Sequence, residues 1–135
     1  MQDLYITELP SDLRSLYKEA IIARENSYSP YSHFAVGAAV RTIDGTIYRG
    51  CNIENSSFGL CCCAERNAIF AAACAGQRDF SALCVVAATE EPVSPCGACR
   101  QVMSEFKINK IILGNLKGKI KICTLVELLP YDFAL

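Results

Sequence analysis

The chain has 135 residues, of which 52% are hydrophobic and 20% charged, with a formal net charge of -1. That length suits one domain with a single core, and the balance is that of an ordinary folded protein. The near-neutral charge offers no general basic field for nucleic acid or anionic membrane, and no apolar run approaches the roughly 20 residues of a membrane span.

Met1-Gln2-Asp3 lacks the basic and apolar regions of an export signal, so the cytoplasm is the expected location. Ser11-Asp12 offers an N-cap, and Leu13, Leu16, Tyr17, Ala20 and Ile21 follow at helical spacing, which predicts an amphipathic helix to about Glu25. Residues 27–32, with Pro30, read as a loop. Phe34 to Thr42 and Thr46 to Asn52 read as strands joined by a hairpin turn at Asp44-Gly45. Cys63 to Ala75 is Ala-rich and predicts a helix ending near Gly76.

Ser81 to Thr89 is nearly continuous in apolar residues, as a strand covered on both faces should be. A short helix is expected from about Cys96 to Phe106, with Pro95 near its start, and a strand over Ile108 to Leu113. Lys119 to Cys123 alternates charged and apolar residues. It predicts a strand near the sheet edge, with Lys117, Lys119 and Lys121 on its solvent face discouraging edge-to-edge pairing. Leu125 to Leu129 can form a last helical turn before Pro130. This order predicts one α/β domain over residues 1–135, a three-layer α/β/α sandwich around a five-stranded mixed sheet. Its two middle helices would start just past the carboxyl ends of strands, where open α/β sheets place ligands.

Nine cysteines are many for such a chain, but the odd number and the missing export signal argue against a disulfide framework. Cys51, Cys74, Cys84 and Cys123 sit among apolar neighbours and read as core. Cys63-Ala64-Glu65 and Pro95-Cys96-Gly97-Ala98-Cys99 stand apart. A CxxC pair at a helix start puts two sulfurs on one side of the first turn, where free N–H groups and the dipole favour thiolates. Alone, such a pair fits redox, structural or accidental readings. With Cys63 opening another helix, it predicts a zinc site with three protein ligands and a fourth position open to water, the catalytic arrangement. Glu65 lies in the same turn as Cys63 and can take and return a proton without binding metal. Arg66 can donate to thiolates and offset their charge. A closed four-cysteine site using Cys61 or Cys62 would leave Glu65 without a task. His33, the only histidine, reads as a surface loop residue.

The chain closely resembles the small, homotetrameric cytidine deaminases. Phe34-Ala35-Val36-Gly37-Ala38-Ala39, Gly50-Cys51-Asn52-Ile53-Glu54-Asn55, Cys63-Ala64-Glu65-Arg66, Pro95-Cys96-Gly97-Ala98-Cys99-Arg100-Gln101 and Glu127-Leu128-Leu129-Pro130 with Phe133 carry the resemblance, from about Leu13 to Phe133. It implies that Cys63, Cys96 and Cys99 hold one zinc ion and that Glu65 shuttles protons. Asn52 and Glu54 would bind the ribose, and the backbone of Ala64 would read the pyrimidine edge. Phe34 and Phe133 would contact the base, Phe133 from a neighbouring subunit of a homotetramer. The implied reaction is hydrolytic deamination of free cytidine and deoxycytidine in pyrimidine salvage, with ammonia released. No nucleic acid or membrane partner is implied. Phe58 stands where many members carry tyrosine, two residues follow Phe133 where many have a longer tail, and Cys61-Cys62 is an unusual neighbour for Cys63. Two alternatives remain in view. A deaminase of a modified cytosine nucleoside, of the blasticidin type, would share the cysteine motifs, but Asn52-Ile53-Glu54-Asn55 favours the ordinary nucleoside. A non-catalytic zinc-stabilised interaction domain would share the metal.

Overall fold

In the computed structural model, which describes residues 1–135, helix α1 spans Ser11–Arg24. Pro10 stands at its N-cap and Ser11 is already helical. Proline suits that junction, since a helix start has no use for its missing N–H. Strands β2 (Val36–Thr42) and β3 (Ile47–Cys51) form the expected hairpin. Gly45 in its turn has φ of 92°, a backbone conformation natural to glycine. Helix α2 (Ala64–Cys74) ends before Gly76, which also has positive φ. Strand β4 (Phe80–Ala87), helix α3 (Gly97–Glu105), strand β5 (Ile111–Asn115), strand β6 (Lys119–Cys123) and helix α4 (Leu125–Leu128) complete the expected order.

The sheet has six strands, not five, in the order β1-β6-β5-β4-β2-β3. The extra strand, β1 (Gln2–Tyr5), pairs antiparallel with β6. Only Leu4 of its four residues is even half-buried, so it shows no pattern of its own and exists by virtue of its partner. β6 is therefore not the edge. Lys121 does not face open solvent but binds Asp3 of β1 at 2.8 Å, while Lys119 binds Glu91 at 2.6 Å.

β2 runs antiparallel to both β3 and β4, so β3 and β4 point the same way. β4 and β5 are parallel. The chain thus leaves β3 for α2, and β4 for α3, at the same end of the sheet. Alternate residues of each central strand serve opposite faces. Ala39, Cys84, Val86 and Ile112 pack with Leu13, Leu16, Tyr17 and Ala20 of α1. Ala38, Val40, Leu83, Val85 and Ile111 pack with Ala68, Ile69 and Ala72 of α2 and Met103 of α3. These are the three layers that the order of elements predicts.

Of the cysteines expected in the core, Cys84 and Cys123 are buried, Cys51 is half-buried and Cys74 is exposed. The buried face of α2 runs through Ala64, Ala68, Ile69 and Ala72, and Cys74 falls on the opposite side. The close approach of α2 to the sheet depends on Gly50. A Cβ there would stand 2.3 Å from the Ala64 carbonyl oxygen and the Ala68 nitrogen.

Candidate active site

Two helix starts meet at one end of the sheet. Cys63 is the residue just before α2 and Cys96 the residue just before α3, both in extended backbone. Their sulfurs lie 3.6 Å apart. Cys99, one turn into α3, is fully buried and brings a third sulfur, so that all three lie within 4.8 Å of one another. Tetrahedral zinc with thiolates at about 2.3 Å would separate sulfurs by about 3.8 Å, so the cluster is of the right size for that ion. Cys61 and Cys62 do not belong to it.

The charges around the cluster also suit a soft cation. Hydrogen bonds donated by Cys99, and then by Arg66 and Cys96, outweigh burial and hold the Cys63 thiol down at about 5. Cys99, as the donor in that pair and a buried group, is pushed well up. Arg66 Nη2 donates to Cys63 Sγ at 3.3 Å. Arg66 Nε is buried with no acceptor, leaving a donor free beside the sulfurs. A first-turn arginine here places positive charge against thiolates that would otherwise repel one another.

Glu65 occupies the first turn of α2 and is 4% exposed. Burial raises its carboxyl above the usual range, and the negative charge at Cys63 adds to that. Cys99 Sγ lies 3.6 Å from its Oε2. A protonatable carboxyl therefore touches the sulfur cluster without being part of it.

A cleft of about 300 Å³ opens above the cluster. Cys63, Ala64, Glu65 and Cys96 form one end of its lining, and Phe34, Asn52 and Glu54 line it too. Ala64 brings a first-turn N–H group, which has no intrahelical acceptor. Phe34 is 41% exposed and offers a ring face at the lining. Asn52 is heavily committed within the chain: Oδ1 accepts from the Val36 N–H at 2.9 Å and from the Ser27 hydroxyl, and Nδ2 donates to the Phe34 carbonyl at 2.7 Å. One amide hydrogen remains for a ligand. Glu54 Oε1 accepts from the backbone N–H groups of Tyr31 and Ser32, at 3.1 and 3.0 Å, and Oε2 from the Ser32 hydroxyl. These bonds, the Ser32 hydroxyl foremost, keep Glu54 below its ordinary range and hence an acceptor.

Phe133 is not brought to this cleft. It is 69% exposed, and its carbonyl accepts from Gln101 Nε2 at 3.0 Å. Ser32, Val36, Val93 and Ser94 line the cleft unforeseen. Ser32 lies in a segment legible only as a loop, and Val93-Ser94 gave no signal beyond adjacency to Pro95. His33 is exposed, as expected of a loop residue.

Comparison with known proteins gives one answer. Residues 10–115 match the family model described as the cytidine and deoxycytidylate deaminase zinc-binding region. The chain is 56% identical over 124 residues to a cytidine deaminase of Halalkalibacterium halodurans, covering 90% of this chain and 94% of that one. It is 54% identical over 125 residues to the cytidine deaminase of Sporosarcina psychrophila, covering 91% and 92%. The crystal structure of cytidine deaminase from Burkholderia pseudomallei superposes with a TM-score of 0.86 at 47% identity, over 89% of this chain and 98% of that one. With the cysteine cluster, the buried carboxyl and the sheet all in agreement, the chain belongs to the cytidine and deoxycytidylate deaminase family.

Proposed function

We propose that the protein, a single catalytic domain over residues 1–135, hydrolyses free cytidine and deoxycytidine to uridine and deoxyuridine with release of ammonia. The observation that carries this reading is the buried Glu65 carboxyl against Cys99 of a three-sulfur cluster, with Glu65, Cys63 and Cys96 all lining the cleft. Cys63, Cys96 and Cys99 would hold one zinc ion, whose Lewis acidity makes water a nucleophile near neutral pH.

The chain's own residues do the rest. Glu65 takes a proton from the attacking water and returns it to N3 of the ring as the water oxygen bonds to C4. It then takes the second proton from the oxygen now on C4 and passes it to the amino group, so that the C4–N bond breaks, ammonia leaves and the C4 carbonyl forms. A carboxyl raised by burial suits both directions of transfer. Arg66 offsets the negative charge of the sulfurs. Glu54 accepts from ribose hydroxyls, Asn52 supplies its remaining amide hydrogen, the Ala64 backbone faces the pyrimidine edge and Phe34 contacts the base. Phe133 would reach the cleft of a neighbouring subunit, making the working enzyme a homotetramer with sites at subunit interfaces. The proposed setting is pyrimidine salvage in the cytoplasm. No helix is long and apolar enough to cross a membrane.

The test is to load the purified chain with zinc and measure ammonia and uridine from cytidine in parallel with blasticidin S. Turnover of cytidine in equal yields of both products supports the reading. Turnover of blasticidin S alone would transfer it to the modified nucleoside, and zinc binding without turnover of either would make the chain an interaction domain.

A further inference from the structure

Helix α3 carries Cys99, but its other residues bind a different part of the chain. Arg100 Nη1 donates to the carbonyl of Leu128, the last residue of α4, at 2.7 Å. Gln101 Nε2 donates to the Phe133 carbonyl at 3.0 Å, and the Ser104 hydroxyl donates to the Asp132 carboxylate. Three residues spread over little more than one turn of α3 thus hold the last stretch of the chain.

Arg100 also reaches the other way. Its Nε donates to the Pro95 carbonyl at 2.9 Å and its Nη2 to the Ser94 hydroxyl at 2.7 Å. Ser94 and Cys96 both line the cleft. One guanidinium therefore ties the loop before α3 directly to the end of α4. Its acceptors also need it: the Leu128 carbonyl closes a helix and has no intrahelical donor. Only arginine offers several N–H donors in one fixed plane, whereas a lysine ammonium is a single point of charge.

We propose that Arg100 is a positioning residue, which fixes the loop bearing Cys96 and the tail bearing Phe133 against α3 as one unit. The metal side of one subunit's site and the ring lent to the next are then set by the same side chain. This inference rests on the roles proposed above for Cys96 and Phe133.

The test compares zinc-loaded parent and Arg100→Gln protein by three measurements: zinc release to a colour-forming chelator, amide hydrogen exchange along the chain, and KM and kcat for cytidine. Arg100→Gln should still bind one zinc per chain but release it about tenfold faster. Exchange should quicken in residues 93–99 and 129–133 together and not elsewhere, and KM should rise more than kcat falls. Gln101→Ala should quicken exchange in the tail alone and leave zinc release unchanged. Arg100→Lys should show both local losses. Parent-like zinc release and tail exchange in Arg100→Gln, exchange quickened throughout the chain, or full restoration by lysine would each overturn the proposal. Should Arg100→Gln fail to fold, Ser94→Ala takes its place. Faster exchange confined to residues 93–99 supports the proposal, and no change overturns it. If these exchange results hold while Phe133 proves not to act across subunits, the reading of Phe133 fails and the role of Arg100 in joining loop and tail stands.

Discussion

The proposed chemistry needs Glu65 to exchange a proton beside the sulfurs, and α2 places it in its first turn, buried and 3.6 Å from Cys99 Sγ. Glu65→Gln keeps the shape and loses the proton. It should bind one zinc per chain and fold normally while kcat falls by about a hundredfold to ten-thousandfold; zinc content by atomic absorption and turnover by ammonia release check this, and near-parent kcat would remove Glu65 from the chemistry. Glu54 has a different task. With Asn52 nearly saturated, the proposed function makes Glu54, held in place by three donors, the main acceptor for a sugar. Glu54→Ala should raise KM for cytidine by about tenfold to a hundredfold and leave zinc unchanged, because a charged hydrogen bond is lost. An equal loss for 3′-deoxycytidine would contradict the sugar role. The convergence of Cys63, Cys96, Cys99, Glu65 and Arg66 is legible because it lies in local spacing, Cys63 to Arg66 and Cys96 to Cys99. Ser32 was not, because its task is to hold Glu54 from 22 residues away, and nothing in a serine-rich loop marks that.

At the scale of elements, the site depends on two helices beginning at one end of the sheet, and on how closely α2 can approach. Gly50 decides that distance. Gly50→Ala sets a methyl group 2.3 Å from the Ala64 carbonyl oxygen, so α2 must move, and Cys63 and Glu65 must move with it. The cost should be about 3 kcal/mol of stability, measured by urea unfolding, together with reduced zinc content. Full zinc occupancy and an unchanged midpoint would show that α2 is positioned by something else. The helices and central strands were readable from periodicity, since α1 has a clear apolar stripe and β4 an unbroken apolar run. β1 was not readable, because four residues with one half-buried leucine carry no pattern. β5 also differs from the expected Ile108 to Leu113, starting only at Ile111 and extending to Asn115. A buried asparagine reads as a loop residue. Here its Oδ1 accepts from the N–H groups of Lys117 and Lys119 and its Nδ2 donates to the Glu90 carbonyl, so the strand can end on it without an unpaired group.

At the scale of the whole molecule, several aromatic rings are poorly covered by one chain. Phe58 is 74% exposed, and it meets Tyr31 edge to face with ring centroids 6.1 Å apart. Phe133 is exposed on the tail held by α3. A homotetramer that lends Phe133 to the next cleft makes a specific demand on mixed assemblies. Phe133→Ala alone should weaken use of cytidine by about tenfold to a hundredfold, the worth of one stacked ring. Mixed with inactive Glu65→Gln under conditions of subunit exchange, it should regain activity, because some intact Glu65 sites then adjoin intact Phe133 donors. If mass measurement confirms exchange and activity never exceeds the sum of the two variants, Phe133 acts within its own chain or not at all. The sheet, finally, separates two apolar interiors. The side packed by α1, with Leu16, Ala20, Cys84 and Ile112, gives nothing to the three-sulfur cluster or to the cleft lining, whereas Cys63, Glu65, Cys96 and Cys99 stand at the starts of α2 and α3 on the other side. Thermal adaptation of this enzyme therefore has a face of its own: a change such as Ile112→Val, costing about 1 kcal/mol, should lower the melting temperature while the chemistry on the opposite face keeps its rate.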